Sequence, residues 1–348
     1  MPTKNDCLIV HEFPSPEHET RWRDFLSRAE MPSHYDSPEF FLEPWWEGKR
    51  PFAILALDGT DLKNGKILGS LTGIHEANRV ECGLPTRPQI CFDRTADQAA
   101  VADTLVQGLL TEAGRSLAVL YSWSPLPSLE SRGFRTRQGE GSVVLDLTLG
   151  PETLMKQFHS NRRRNIRFAI EKGLEVSVLT SERDFEEVYA LHCAWQQTSR
   201  KKIVAKMASL ERFKETWGRP QNRRVFLVRL NGKLVAADVV RFQPGGLLEA
   251  AANFSLGEYL NLKPNDLVVW KIIEWGCKEG FTRLSLGGAH SFLRYFGGTV
   301  VPIYRHRVDR TLLRQHDLRD ALLDVGRTTL KKAPPPMAGV VRRILGKD

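Results

Sequence analysis

Residues 224–254 read RVFLVRL, NG, KLVAADVVRF, QPGG, LLEAAANF, and this stretch decides the fold. Arg224–Leu230 and Lys233–Phe242 are apolar runs separated by Asn231-Gly232 alone. That is the strongest short-range signal for a two-residue hairpin, because both turn positions need a positive φ. Gly245-Gly246 then turns the chain into a third run, Leu247–Phe254, so the segment reads as a β-meander.

Moving outward, Pro264 opens a helix to Glu279, Gly280 ends it, and strands follow at Thr282–Leu286 and Val300–Val308. Upstream, Glu152–Phe158 and Arg162–Lys172 read as helices, the second stopped by Gly173. Leu174–Leu179 reads as a strand, and a Ser181 cap starts an amphipathic helix over Glu182–Gln197. The first half shows the same plan. Trp22–Ala29 and Thr95–Ser116 have helical periods; Pro51–Leu57, Lys66–Ile74, Leu117–Trp123 and Gly141–Leu147 read as strands, with a turn at Asp61–Gly65. The simplest account is a mixed α/β chain made of two similar lobes, residues 1–150 and 151–310. A helical extension over 311–348 is broken at Pro334-Pro335-Pro336 and ends in a basic tail, Val340–Lys347.

Bulk composition fits this. Hydrophobic residues make up 41% and charged residues 26%, ordinary for a globular chain. No apolar run is long enough to span a bilayer and no signal-peptide core is present, so a cytoplasmic location is expected. The five cysteines are scattered without CxxC spacing, which argues against a disulfide framework and a structural zinc site. The net charge of +9 is uneven: residues 1–150 hold 15 basic against 21 acidic side chains (−6), leaving +15 for residues 151–348. A lobe this basic attracts anions such as a cofactor phosphate, a phosphorylated carrier or RNA.

The run Phe158–Ala169 (FHSNRRRNIRFA) is similar to the R-x-x-I-R-x-A helix of Fem-type aminoacyltransferases and BioF2-like acetyltransferases, which are double-GNAT proteins. Leu262–Leu267 with the helix to Gly280, and Ser285–Gly288 followed by Phe292–Gly298 (FLRYFGG), resemble two further motifs of that family in order. The resemblance spans about Trp22 to Val308. It implies a GNAT fold in both lobes, and transfer of an acyl or aminoacyl group from acyl-CoA or aminoacyl-tRNA to an amine. The acceptor it suggests is a small molecule, sugar or peptide of a cell-envelope or exopolysaccharide precursor. The chain departs from the pattern twice. Tyr259–Asp266 lacks the glycines of the usual pyrophosphate loop, and Leu293 stands at the lysine position of the closing motif. Two other readings therefore remain open: an RNA- or tRNA-binding protein, and a non-catalytic GNAT scaffold.

Acyl transfer to an amine needs a neutral nucleophile, a carbonyl held against it and donors for the oxyanion. By analogy with the family, strands Leu247–Phe254 and Arg283–Leu286 should part to form a cleft, with Asn253 and Phe254 lining it. Candidate bases are Asp238, charged within an apolar strand; Glu249, on the next strand; and His290, after Gly287-Gly288-Ala289. Each also has a bland reading as a solvated or internally satisfied side chain. Tyr295 is a candidate acid in place of the missing lysine, with packing as its alternative. Arg163, Arg164 and Arg167, beside the Ser160–Asn161 helix start, form a candidate phosphate- or substrate-binding cluster. Arg200–Lys202 is a second basic run, read as a loop. The basic tail suits a peripheral contact with an anionic surface and is too short for stable membrane anchoring. The oligomeric state is not encoded in any of these signals.

Overall fold

The computed structural model describes residues 6–43, 48–59, 65–198, 209–218, 221–319 and 321. Arg200–Lys202, most of the Asp61–Gly65 turn, the helix expected beyond residue 321 and the basic tail lie outside the described residues.

The first half contains β1 (Asp6–Val10), α1 (Pro16–Arg28), β2 (Arg50–Asp58), β3 (Lys66–Glu76), β4 (Arg79–Cys82), β5 (Ile90–Phe92), α2 (Gln98–Ala113), β6 (Leu117–Ser122), α3 (Ser128–Ser131) and β7 (Arg135–Asp146). The second contains α4 (Gly150–Gln157), α5 (Ser160–Glu171), β8 (Leu174–Val178), α6 (Glu182–Thr198), α7 (Leu210–Trp217), β9 (Arg223–Leu230) and β10 (Lys233–Phe242). It continues with β11 (Leu247–Ser255), α8 (Pro264–Lys278), β12 (Arg283–Ser285), α9 (Ser291–Arg294) and β13 (Thr299–Asp309).

The β9–β10 hairpin closes at Leu230↔Lys233, with Asn231 at φ 50 and Gly232 at φ 80, as the Asn-Gly pair requires. β10 is buried from Leu234 to Phe242, which places it centrally and explains its apolar run. Helix α8 starts on Pro264 and packs Leu267, Val268, Ile272 and Ile273 onto the sheet. A Cβ at Gly276 would lie 2.9 Å from both Leu147 and Leu248, so a side chain there would push the helix off the sheet.

The two halves do not keep separate sheets. One continuous sheet runs β1-β2-β3-β4-β6-β13-β7-β12-β11-β10-β9-β8, with β5 paired to β3. The last strand of each half has crossed over: β13 pairs with β6 of the first half, and β7 pairs with β12 of the second. β7 and β13 are themselves antiparallel partners in the middle. His306 pins this junction. Its Nε2 is 2.9 Å from Ser122 Oγ on β6 and its Nδ1 is 2.9 Å from Thr136 Oγ1 on β7. Burial pushes its pKa down to about 4.

A second junction lies beside the meander. Arg223 donates to both Glu43 carboxylate oxygens at 2.6 and 2.7 Å, and His34 Nε2 is 2.5 Å from the same group. All three side chains are fully buried. Arg241 donates to the Tyr35 hydroxyl, and the Arg87 guanidinium lies 4.8 Å from the centre of the same ring. Buried charges of this kind stand only when paired, so the segment carrying His34–Glu43 is fixed against β9 and β10.

Candidate active site

The sheet opens between the two strands that the family resemblance implied would part. β11 and β12 run parallel over Leu247↔Arg283, Leu248↔Leu284 and Glu249↔Ser285, and then part. β11 continues to Ser255 along β10, and its register shifts between Val239/Ala252 and Val240/Ala250, leaving Ala251 as a bulge. A bulge bends the strand and re-aims its backbone groups. On the other side of the gap, Gly287 has φ +74, and a Cβ there would meet the Ala250 carbonyl at 3.0 Å. Any side chain at that position would be strained and crowded against β11.

The gap encloses a cavity of about 370 Å³, whose walls include Asp238, Ala250–Asn253, Asn265, Leu286, Gly287, His290 and Leu293. Asp238 is 4% exposed. Its Oδ2 accepts from Asn253 Nδ2 at 3.0 Å, while Oδ1 has no partner among the described residues. Burial raises its pKa to about 7, opposed in part by the Asn253 bond. A polar chain steadies that amide: Ser255 Oγ donates to Asn253 Oδ1 at 3.1 Å and lies 2.5 Å from Asn265 Oδ1. A carboxyl in a cavity wall that changes charge near neutrality, with one buried oxygen left unpartnered, is suited to take up a proton.

The remaining candidates divide. Asn253 and His290 line the same cavity as Asp238, with His290 exposed at the start of α9. Glu249 does not join them. The register pairs Asp238 with Asn253 but Glu249 with Arg241, and that pair faces Tyr35 and Arg87 across the sheet from Asp238. Arg87 Nε lies 3.2 Å from Glu249, so its charge is already matched. Phe254, next to Asn253, turns to the other face by strand alternation and packs on His192, Trp195 and Phe213. It backs the cleft and does not line it. Tyr295 is 42% exposed and stacks on His159 at 4.8 Å, which is a packing role.

The arginine cluster points elsewhere than expected. Arg163 donates to the main-chain carbonyls of Lys156 and Phe158, capping α4. Arg164 reaches only Asn161 at 3.2 Å, and both Arg164 and Arg167 are exposed. None of the three lines the cavity. Arg162, which periodicity did not single out, is the inward one. It lies 2.5 Å from Asp266 in the first turn of α8 and over the Phe292 ring at 4.5 Å. Its position five residues before Arg167 in a motif of repeated arginines was the available signal, but which arginine faces inward depends on how α5 packs on α8. Leu293 stands in the cavity wall where the resemblance anticipates a lysine, so that wall is apolar.

Residues 156–296 match the family model described as an acetyltransferase (GNAT) domain. Among solved structures, the chain is similar to the crystal structure of FemX, with a TM-score of 0.63 at 10% identity, covering 86% of this chain and 96% of that one. It is also similar to the C-terminal domain of a putative lysylphosphatidylglycerol synthetase from Agrobacterium fabrum, with a TM-score of 0.58 at 15% identity over 88% and 96%. A tandem GNAT protein from the clavulanic acid biosynthesis pathway gives 0.52 at 12% over 88% and 99%. Likeness at these identities concerns the fold. Comparison with curated proteins gave no match. Among the described residues, no helix is long and apolar enough to cross a membrane.

Proposed function

We propose that this GNAT-superfamily chain transfers an acyl or aminoacyl group to an amine at the opening between β11 and β12, with Asp238 as the general base. The observation that carries the reading is the buried Asp238 carboxyl, one oxygen free, at the wall of the cavity where two parallel strands part. In this reading the donor carbonyl lies against the bulged edge of β11, whose main-chain N–H groups face the oxyanion. The amine nitrogen attacks the carbonyl carbon and passes its proton to Asp238. The tetrahedral intermediate then collapses as the C–S or C–O bond breaks, and the departing sulfur or ribose oxygen takes the proton back from Asp238. His290, exposed at the mouth, orients the incoming amine.

The donor is acyl-CoA or aminoacyl-tRNA, held otherwise than by a glycine-rich pyrophosphate loop. Asp266 supports that choice: it puts a carboxylate in the first turn of α8 and is matched by Arg162, so the helix end already has its anion. The acceptor in this reading is an amine of a cell-envelope or exopolysaccharide precursor. The test is turnover by the purified chain with acetyl-CoA and with aminoacyl-tRNA, using amino-sugar acceptors, in wild type and Asp238→Asn. Turnover in the wild type whose pH profile rises through about 7, and which is lost in Asp238→Asn, is the expected result. Equal turnover and an unchanged profile in the variant would remove Asp238 from the chemistry.

A further inference from the structure

A second cavity, of about 500 Å³, adjoins the first, and the two share Gly287 and His290. Its walls come from β6, β7 and β13 together with the loop after β12. Pro85, Ile303 and a series of glycines make much of it apolar. Two arginines, Arg137 and Arg305, break that pattern.

These two residues sit directly opposite each other in the β7/β13 register, and Tyr121 of β6 is opposite Arg305 on its other side. Burial raises the pKa of Tyr121 and the neighbouring Arg305 charge opposes that rise; the Arg305 Nε is buried without a partner, and among the described residues neither guanidinium has a carboxylate within ion-pair distance. Glu140 lines the same cavity without pairing to either. Like charges directly opposite on neighbouring strands are unfavourable. The chain resolves the same problem two residues along: Arg135 and Arg307 are also opposite each other, and Asp317 serves both, at 3.6 and 3.2 Å. The pair at the cavity has been given no such acid. Two forked guanidinium groups converging on a concave, partly apolar site suit a bidentate oxoanion.

We propose that Arg137 and Arg305 bind an oxoanion, a phosphate or carboxylate, carried by the acceptor, whose apolar portion lies along the second cavity toward His290. This rests on the acyl-transfer reading for the assignment to the acceptor. With the donor carbonyl placed against β11 in that reading, the adjoining cavity bounded by β7 and β13 is left for the other substrate.

The test is calorimetric titration of the full chain with inorganic phosphate and, separately, with succinate, at concentrations up to about 10 mM. Wild type is compared with Arg137→Gln/Arg305→Gln and with Arg115→Gln/Lys278→Gln, which removes the same charge from exposed positions elsewhere. Binding of one probe that weakens at least about tenfold in the first variant and not in the second supports the site, and which probe binds distinguishes phosphate from carboxylate. No binding of either probe to wild type, or equal weakening in both variants, overturns it. The unliganded Arg137→Gln/Arg305→Gln protein is expected to have a Tm equal to or above wild type, because repulsion is relieved; a clear fall would show the pair to be structural and overturn the proposal. Weakening of CoA binding by the same factor would hand the anion to the donor and overturn the acceptor assignment. Absence of acyl transfer with phosphate binding intact would sink the transfer reading and with it the acceptor assignment, leaving the anion site, whereas transfer with unaltered binding in the variant would sink the anion site alone.

Discussion

The two halves of the sheet follow one strand plan, yet they treat the gap between their parallel strands in opposite ways. In the second half, β11 is a single bulged strand that continues past its last partner on β12 and leaves the gap open. In the first half, the strand in the corresponding place is interrupted. β4 pairs with β6 from Arg79↔Leu117 to Cys82↔Leu120, the chain loops out from Gly83, and it rejoins β3 as β5. That loop closes on itself through Leu84 and Arg87, then sends Arg87 across to Glu249 and Tyr35 of the junction. The central strands differ in the same direction. β3 carries no ionisable side chain from Ile67 to Gly73, whereas β10 buries both Asp238 and Arg241. One copy of the plan has kept a concavity with a titratable group, and the other has used the equivalent residues to attach itself to its neighbour.

Removing the group that distinguishes the halves should have the largest effect. Asp238→Asn is expected to lower acyl transfer by about 10²–10⁴-fold, the usual scale for a general base. The same substitution should stabilise the protein above neutral pH. With the folded pKa raised from 3.8 to about 7, the folded state holds a proton that the unfolded state has released, so stability falls as pH rises from about 4 to 7. Denaturant unfolding at pH 8 should show Asp238→Asn more stable by on the order of 4 kcal/mol. A destabilised variant would mean that the ionised carboxylate is a structural partner after all.

Cutting the attachment between the halves comes next. Glu43→Gln removes the buried carboxylate charge that Arg223 and His34 contact and should cost about 3–5 kcal/mol in urea unfolding. A loss under 1 kcal/mol would show that the halves are held by the shared strands alone. Acidification probes those strands through His306. Its folded pKa lies below the unfolded value of 6.5, at about 4. The unfolded state therefore takes up the proton first, and stability should fall as pH drops from 6.5 to 4, by about 3 kcal/mol in wild type. His306→Gln should flatten that part of the pH–stability curve. The smallest effect is expected at the rim of the gap: Gly287→Ala, strained by its positive φ and crowded against Ala250, should cost about 1–3 kcal/mol. It should also raise KM more than it lowers kcat if the opening merely narrows.

Much of the architecture was legible because it is written locally. Asn231-Gly232, Pro264, Gly173 and Gly280 each mark an element boundary by their own backbone chemistry, and the elements they delimit appear within a few residues of expectation. Short elements left no such mark. β4 and β5 are too brief to show a period. The exchange of β7 and β13 was out of reach for a different reason: both read correctly as strands, but which strand each pairs with is decided by long-range packing. The site divides along the same line. Asp238 stood out as a charge in an apolar run, and it lies at the cavity. Glu249 was judged by its nearness to Asp238, and only the register places it on the far face. The arginine run was visible as composition, but helix packing selects Arg162 inward and ties Arg163 to backbone carbonyls.

The crossing of the terminal strands also constrains how the chain can be made. Synthesis proceeds from the amino end, and the strand that completes the first half against β6 is the last of the thirteen to leave the ribosome. Until then β6 keeps a bare edge, open to unwanted partners. The first half therefore cannot mature ahead of the second, as successive domains ordinarily do. A fragment ending near residue 150 would expose that edge of β6 and leave β7 without its two neighbours, so the native pairing of the first half is complete only once β12 and β13 are in place.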